Sequence, residues 1–197
     1  MDFYTAIKER RSFYEIKPET KISNERISEV IEDAVLHAPS AFNSQSARAV
    51  LLLGEHHKKL WDITKEALMK IVKSEQWQKT EDKISSFANG YGTILYFDDD
   101  LTVKGLQESF PAYSENFPVW AEQSNGMLQY IIWTSLCAEG FGASLQHYNP
   151  LIDDAVKETW GISDSWRLIA QMPFGVPSDL PNEKSMLPIE DRFIKYL

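Results

Sequence analysis

The chain has 197 residues, of which 43% are hydrophobic and 25% charged, so its length and composition predict one globular domain over residues 1–197. A formal net charge of −9 excludes partners held through many phosphates, such as nucleic acids, because these bind clustered lysine and arginine. The single cysteine excludes an intrachain disulfide, and the lack of a long apolar run or a signal-peptide core predicts a cytoplasmic protein that does not enter a membrane.

Caps, breakers and apolar periodicity predict alternating helices and strands. Asp2 and Ser23 are N-cap residue types, and Pro39 and Gly140 are helix-ending types. In chain order the pattern predicts helices or strands as follows: helix 2–10, helix 23–38, strand 49–53, helix 60–71, strand 93–97, an irregular stretch 105–118, helix 119–139, strand 142–146, helix 152–160 and strand 166–172. Because strands are separated by helices, we expect an α/β or α+β sheet with helices on both faces.

The ends of these elements carry further expectations. Three aspartates follow residue 97 and predict that this strand leaves the core for solvent. The breakers Pro173, Gly175 and Pro177 predict that the last strand has ended before them. The aromatic and apolar residues of segment 192–197 predict an extended arm that lies on a neighbouring subunit.

A basic triplet, Arg10, Arg11 and Ser12, follows the first helix. Guanidinium groups bind phosphate oxygens through two parallel hydrogen bonds, and a phosphate monoester carries about −1.5 to −2 charges near neutral pH. The triplet therefore suits the phosphate of a mononucleotide. The alternative is an ordinary solvated helix end, where basic residues are favoured by the helix dipole.

A polar loop begins where the second helix stops, and its candidate binding residues are Pro39, Ser40, Ala41, Asn43 and Gln45. Asparagine and glutamine amides offer two donors and an acceptor, which the ribityl hydroxyls and ring edge of a flavin can use. The alternative is a loop whose polar groups serve only its own turns.

Small residues follow the long helix in the segment 140–149, which includes Leu145, Gln146 and His147. They would let the backbone approach a flat ring, with Leu145 on the ring face. The two glycines do not form a dinucleotide-binding loop, because the third glycine is missing and a helix precedes them. The alternative for His147 is a structural histidine, and the alternative for the isolated Lys184 further along the chain is a surface charge.

These four segments, in this order, resemble the FMN-dependent nitroreductase family over nearly the whole chain. The amino-acid sequences of the second and third segments are most similar to the compact branch of this family, typified by fungal fatty acid repression mutant proteins. The resemblance implies an α+β fold, with a mixed central sheet, flanking helices and a C-terminal arm exchanged within a homodimer. It also implies a ping-pong cycle, in which NADH or NADPH reduces FMN and a small electrophilic acceptor, a nitroaromatic or a quinone, is then reduced.

The same resemblance implies roles for individual residues. Arg10, Arg11, Ser12 and Lys184 would bind the phosphate and ribityl chain. Leu145, Gln146 and His147 would lie at the ring, while the loop residues Pro39, Ser40, Ala41, Asn43 and Gln45 would reach the flavin of the partner subunit. The chain departs from the family pattern at Tyr14 and Met186, where arginine is common, and at Ser46, where proline is common. Arg192 is a candidate substitute for the missing basic group at 186.

No residue set predicts chemistry without a cofactor. Cys137 falls within the apolar pattern of a helix, where an inert thiol is expected, and the adjacent His56 and His57 would point in different directions. Candidate walls of an acceptor pocket are the aromatic residues Phe42, Phe110, Tyr113 and Tyr148. The alternatives are another FMN-dependent reaction on the same scaffold, a flavin-binding stress or regulatory protein with incidental turnover, and an acidic scaffold that binds no flavin.

Overall fold

The computed structural model describes residues 1–179, 181 and 183–197, and it contains helices packed on both faces of an antiparallel sheet. The α-helices are α1 (Phe3–Glu9), α2 (Asn24–His37), α3 (Gly54–Met69), α4 (Ser74–Ala88), α5 (Asp100–Ser109), α6 (Phe117–Ala138) and α7 (Asp153–Trp160). The strands are β1 (Ile16–Lys17), β2 (Ala47–Leu53), β3 (Gly92–Asp99), β4 (Gly142–Ala143) and β5 (Trp166–Pro177). Short 3-10 helices cover Ala41–Asn43, Pro111–Asn116 and Ile189–Asp191.

The sheet has the order β1-β5-β3-β2, with β4 paired to β5. The named strands pair antiparallel, and an isolated parallel bridge joins Ser12 to Ala143. Strand β3 is at the centre, and the run from Gly92 to Asp98 is buried, because both faces of this strand are covered by helices. The expected α+β fold is confirmed.

Two apolar clusters lie on opposite faces of the sheet. Ile27 of α2 and Ile132 of α6 pack with Tyr96 of β3 in the first. Trp61 of α3 and Phe87 of α4 pack with other β3 side chains in the second. The alternation of side chains along β3 explains this division, since successive residues of a strand point to opposite faces.

Most predicted helices are confirmed, with their caps. The Asp2 side chain accepts from the backbone N–H of Thr5 at 3.2 Å and begins α1, while Ser23 caps α2 through the N–H of Arg26 at 3.2 Å. Helix α6 is largely buried, as its apolar pattern predicts. Within the described ranges, no helix is long and apolar enough to cross a bilayer.

Other boundary predictions are wrong. The stretch 105–118 is not irregular but holds the end of α5, a 3-10 helix and the start of α6. The aspartates before it reach solvent later than predicted: Asp98 is 0% exposed, Asp99 caps α5 by accepting from Leu101 N–H at 3.3 Å, and Asp100 is exposed. Helix α4 is absent from the prediction, because its sequence is mostly polar and it buries only Ile84 and Phe87.

Strand β5 continues through the breakers that were expected to end it. Pro173 and Pro177 lack an N–H donor, but their backbone still has the extended conformation that a strand requires. Pro173 also keeps its acceptor, since its carbonyl accepts from Ser144 N–H at 3.3 Å. The extra residues are the ones on which β1 and β4 pair, so the extension builds the edge of the sheet beside the candidate site.

Candidate functional site

A cavity of about 480 Å³ lies between the end of α1 and the segment after β5. Its lining brings together two of the sequence motifs, the basic triplet Arg10, Arg11 and Ser12 and the distant Lys184. The remaining described lining residues are Phe13, Tyr14, Glu15, Asp179 and Pro181. A volume of this size lies in the range of small-molecule sites, and three cationic side chains at one cavity suit an anionic group.

The Arg10 side chain is held in place and carries a buried donor without a partner among the described residues. It follows α1, where its backbone N–H donates to Ala6 at 2.9 Å, and its guanidinium lies 4.4 Å from the ring centroid of Trp133 on α6. Its Nε is buried and finds no hydrogen-bond partner in the described part of the chain. Because buried donors are nearly always paired in native proteins, this nitrogen indicates a missing acceptor.

The basic triplet lies against the segment 140–149. Phe13 donates its N–H to Ala143 at 3.0 Å, next to the bridge between Ser12 and Ala143. This approach depends on Gly142, where a Cβ would lie 2.8 Å from Phe13 Cγ and 2.9 Å from Pro177 Cγ. What the structure shows at Gly142 is thus close packing of β4 on Phe13 and Pro177 beside the cavity, while approach to a flat ring stays a prediction.

The segment 140–149, which was predicted to lie at a flat ring, is held in place by β5. Gln146 is buried, donates its Nε2 to Ser144 Oγ at 3.1 Å, and exchanges backbone hydrogen bonds with Gln171 at 2.7 and 2.9 Å. Leu145 is half-buried against the first apolar cluster, and His147 is exposed.

Gln171 of β5 is a residue that sequence reasoning missed. Its Oε1 accepts from Tyr148 N–H at 2.7 Å, and its buried Nε2 lacks a partner among the described residues. A glutamine within the apolar run 168–172 is the signal that could have identified it. Through Tyr148 it holds the residues that follow His147.

The loop 39–45 adopts a backbone that non-glycine residues rarely adopt. Phe42, Asn43 and Gln45 have φ values of 55°, 51° and 49°. The Gln45 N–H donates to Ser40 Oγ at 3.0 Å, and the Arg48 guanidinium donates to the Gln45 carbonyl. Such conformations persist only where the surrounding contacts fix them, and they concentrate at functional sites.

This loop does not meet the basic triplet within one protomer. Pro39, Ser40 and Gln45 line a separate cavity of about 270 Å³ between α2, β2 and α6, while Ala41 is half-buried and Asn43 is exposed. The structure thus divides the predicted site residues into two groups, one around Arg10 and one around the loop.

Three of the four candidate wall aromatics lie together. The Phe42 ring centroid is 4.9 Å from Phe110 and 5.8 Å from Tyr113, and Trp120 of α6 stacks on the other side at 6.0 Å. Tyr148 is elsewhere, since it packs edge-on against Trp61, and burial raises its pKa to about 12. The structure therefore separates Tyr148 from this exposed aromatic cluster, which we define as Phe42, Phe110 and Tyr113.

The remaining candidate groups are structural. Burial raises the pKa of the Cys137 thiol, which disfavours the reactive thiolate. His57 contacts Thr93 Oγ1 at 2.8 Å and the Ala88 carbonyl at 3.1 Å, whereas the exposed His56 accepts from Trp160. Nowhere in the described ranges do three or more potential metal-ligating side chains cluster. Met186 and Arg192 are exposed, and neither is among the described residues that line the Arg10 cavity.

Comparisons with known proteins agree with this architecture. The sequence profile of the nitroreductase family matches residues 7–176. The protein HBN1 of Saccharomyces cerevisiae is 38% identical over 180 residues, covering 90% of this chain and 89% of HBN1, and the nitroreductase FRM2 of the same yeast is 32% identical, covering 94% and 93%. The nitroreductase CinD from Lactococcus lactis in complex with chloramphenicol superposes with a TM-score of 0.90 at 38% identity, with 100% of both chains covered.

Proposed function

The chain belongs to the nitroreductase family, and we propose that it is an FMN-dependent oxidoreductase that uses NADH or NADPH to reduce nitroaromatics or quinones in a two-electron ping-pong cycle. When bound, FMN supplies the redox chemistry by accepting a hydride and passing two electrons on. The single observation that carries the proposal is the buried, unpaired Nε of Arg10 at a cavity that also holds Arg11 and Lys184.

The residues around this cavity fit a phosphate and a ribityl chain. Arg10 is held by its stacking on Trp133, so little side-chain freedom would be lost when it binds an anion. The exposed Ser12 hydroxyl can donate to an oxygen of the same group. Lys184 would add a third cation from the segment after β5. Together they would hold the anionic end of the cofactor and fix where its ring lies.

The segment from Gly142 to His147 would lie at the ring. Its backbone is fixed by β5 through Gln146 and Gln171, and Leu145 is half-buried, so the segment presents a rigid edge. A rigid backbone can hold its N–H groups at a fixed distance from a ring edge, which favours the charge that develops there on reduction. The side chains therefore position the cofactor, and none of them needs to act as a nucleophile.

A homodimer would bring the two residue groups together. Pro39, Ser40 and Gln45 of the loop line a different cavity from that of Arg10 in their own protomer, which is consistent with a role at the partner's cofactor. Large apolar side chains are also exposed on α1, α6 and the C-terminal segment, namely Phe3, Tyr4, Met127, Tyr130, Phe193, Ile194, Tyr196 and Leu197. A surface of this kind is typical of an interface, so a cytoplasmic homodimer with exchanged C-terminal arms is part of the proposal.

The aromatic cluster would select the acceptor. Phe42 and Tyr113 are about half exposed and can stack on a flat, electron-poor ring. CinD, at 39% identity and a TM-score of 0.89, has been solved in complex with 4-nitrophenol. A nitroaromatic or quinone is therefore the acceptor class that we propose for this chain.

The visible absorption spectrum of the purified protein tests the assignment. We expect flavin bands that bleach when NADH or NADPH is added without oxygen, and that return when a quinone or nitroaromatic follows. A colourless protein that takes up no added FMN would refute the proposal and favour a scaffold without flavin.

One observation favours a second candidate, a flavin-binding stress or regulatory protein with incidental reductase activity. Met186 stands where an arginine is common in the family, and it is 75% exposed. A weaker phosphate site would suit a protein that binds and releases flavin. Steady oxidation of NADH with a nitroaromatic over many turnovers would exclude this candidate.

A further inference from the structure

A buried carboxyl group lies directly behind the loop 39–45. Asp98 of β3 is 0% exposed, and its Oδ1 accepts from the Ser46 hydroxyl at 2.9 Å. Its Oδ2 accepts from Asn125 Nδ2 of α6 at 3.3 Å, and Asn125 Oδ1 in turn accepts from Gln129 at 2.7 Å. A chain of buried hydrogen bonds therefore connects α6 to the first residue after the loop.

The loop needs a fixed end. Three of its non-glycine residues have positive φ, and such a backbone relaxes unless its neighbours hold it. On the C-terminal side, Ser46 provides this hold through two groups. Its hydroxyl donates to Asp98, and its carbonyl accepts from Asp99 N–H at 2.9 Å.

We propose that Asp98 is a positioning residue whose ionised carboxylate, through Ser46, keeps Asn43 and Gln45 in the conformation that binds FMN. This inference rests on the proposed function. The ionised carboxylate accepts from both Ser46 and Asn125. The Asn125 amide nitrogen can only donate, so an added proton lies on Oδ1, facing the Ser46 hydroxyl. That hydroxyl then accepts instead of donating, and a charge-assisted hydrogen bond is replaced by a weaker neutral one. Protonation thus weakens the contact that holds the end of the loop.

The groups around Asp98 bring the protonation of its carboxylate into a pH range that can be tested. Burial raises the pKa of Asp98 to about 6, against the opposing effects of the Ser46 hydrogen bond and the charge of Arg167. The charged groups around it on β2, β3, β5, α5 and α6 are paired with one another: Arg167 with Asp100 at 3.2 Å and Glu122 at 3.9 Å, and Arg48 with Asp99 at 3.0 Å. Among the described residues, neither Arg48 nor Arg167 forms an ion pair with the Asp98 carboxylate, which therefore depends on the neutral donors Ser46 and Asn125.

Ser46 is also a point at which this chain departs from the family pattern. Proline is common at this position, and proline has no hydroxyl to donate. The serine makes the link to Asp98 available in this chain. The hydrogen bond to Asp98 is therefore the structural consequence of having serine here.

The test is the dissociation constant of FMN for the apo-protein, measured by flavin fluorescence from pH 5 to pH 8. The phosphate of FMN itself titrates near pH 6, so the comparison is between the wild type and Asp98→Asn, in which only the carboxyl is lost. We expect wild-type binding to weaken by about five- to tenfold more than that of Asp98→Asn as the pH falls through about 6. The exposed Asp62→Asn is the matched control and should follow the wild type.

Ser46→Ala provides a second variant that does not alter the buried charge. Because the serine hydroxyl links Asp98 to the loop, its removal should abolish the extra loss of FMN affinity near pH 6, so that Ser46→Ala follows the profile of Asp98→Asn. A Ser46→Ala profile that keeps the wild-type break, or parallel profiles for the wild type and Asp98→Asn, would overturn this inference alone. A wild type that binds no FMN at any pH would overturn the proposed function and this inference with it.

Discussion

Replacing Arg10 by alanine is the most direct perturbation of the proposed phosphate site. The guanidinium has a buried Nε without a partner in the described chain, and it lies beside Arg11 and Ser12. Loss of a charge-assisted hydrogen bond to phosphate costs about 1.5 to 3 kcal/mol, which is about 10- to 150-fold in affinity. We therefore expect Arg10→Ala to weaken FMN binding within that range, as measured by fluorescence titration of the apo-protein.

Two controls separate the phosphate contact from other effects. Lys8→Ala removes one exposed positive charge from the same helix and should change the affinity by much less. Riboflavin lacks the phosphate, so its binding should be nearly the same in Arg10→Ala and the wild type. Equal losses for FMN and riboflavin, or an Arg10→Ala affinity equal to that of Lys8→Ala, would refute the phosphate role of Arg10.

Three further predictions concern packing, pH and specificity. Gly142→Ala should lower the free energy of unfolding in urea by about 1 to 3 kcal/mol, because its Cβ would lie 2.8 Å from Phe13. Gly105→Ala, with open space around it in a helix, is the control and should raise this free energy by up to about 1 kcal/mol. A Gly142→Ala variant more stable than Gly105→Ala would contradict the packing argument. Burial lowers the pKa of His57 from 6.5 to about 4, so the neutral imidazole contributes its full stability above pH 6.5. This contribution declines by up to about 3 kcal/mol as the pH falls to 4, because the unfolded chain then binds the proton more readily. If the free energy of unfolding of His57→Gln in urea fell as steeply with pH as that of the wild type, this prediction would be wrong. Tyr113→Ala should raise the KM for nitroaromatic acceptors about fivefold with FMN affinity unchanged, and an unaltered KM in steady-state assays would remove the aromatic cluster from the acceptor site.

Local signals predicted the helices with clear caps and stripes, and tertiary contacts decided the rest. Ser23 and Pro39 mark the two ends of α2 because capping and proline chemistry act within a few residues. The burial of Asp98 could not be predicted in this way, since its donors Ser46 and Asn125 come from other elements. A run of aspartates favours solvent unless such distant partners satisfy it.

The candidate site could also be predicted only in part from the sequence. Each motif was visible in the sequence, and the cavity that joins Arg10 to Lys184 is consistent with their predicted common role. Gln171 was missed because its importance depends on lying opposite Gln146 across the sheet. The division between the Arg10 cavity and the loop 39–45 is likewise a property of the folded protomer, which spacing along the chain does not reveal.

The bridge between Ser12 and Ala143 has a consequence for how the protein is made. It joins the beginning of the chain to a strand that itself pairs with β5, and the Arg10 cavity likewise combines residues 10–15 with Asp179, Pro181 and Lys184, which are far apart in sequence. A growing chain on the ribosome exposes Arg10 long before β5 and Lys184 have emerged. The cavity is therefore complete only near the end of synthesis, so a flavin bound there, as we propose, would not act as a template for the early steps of folding.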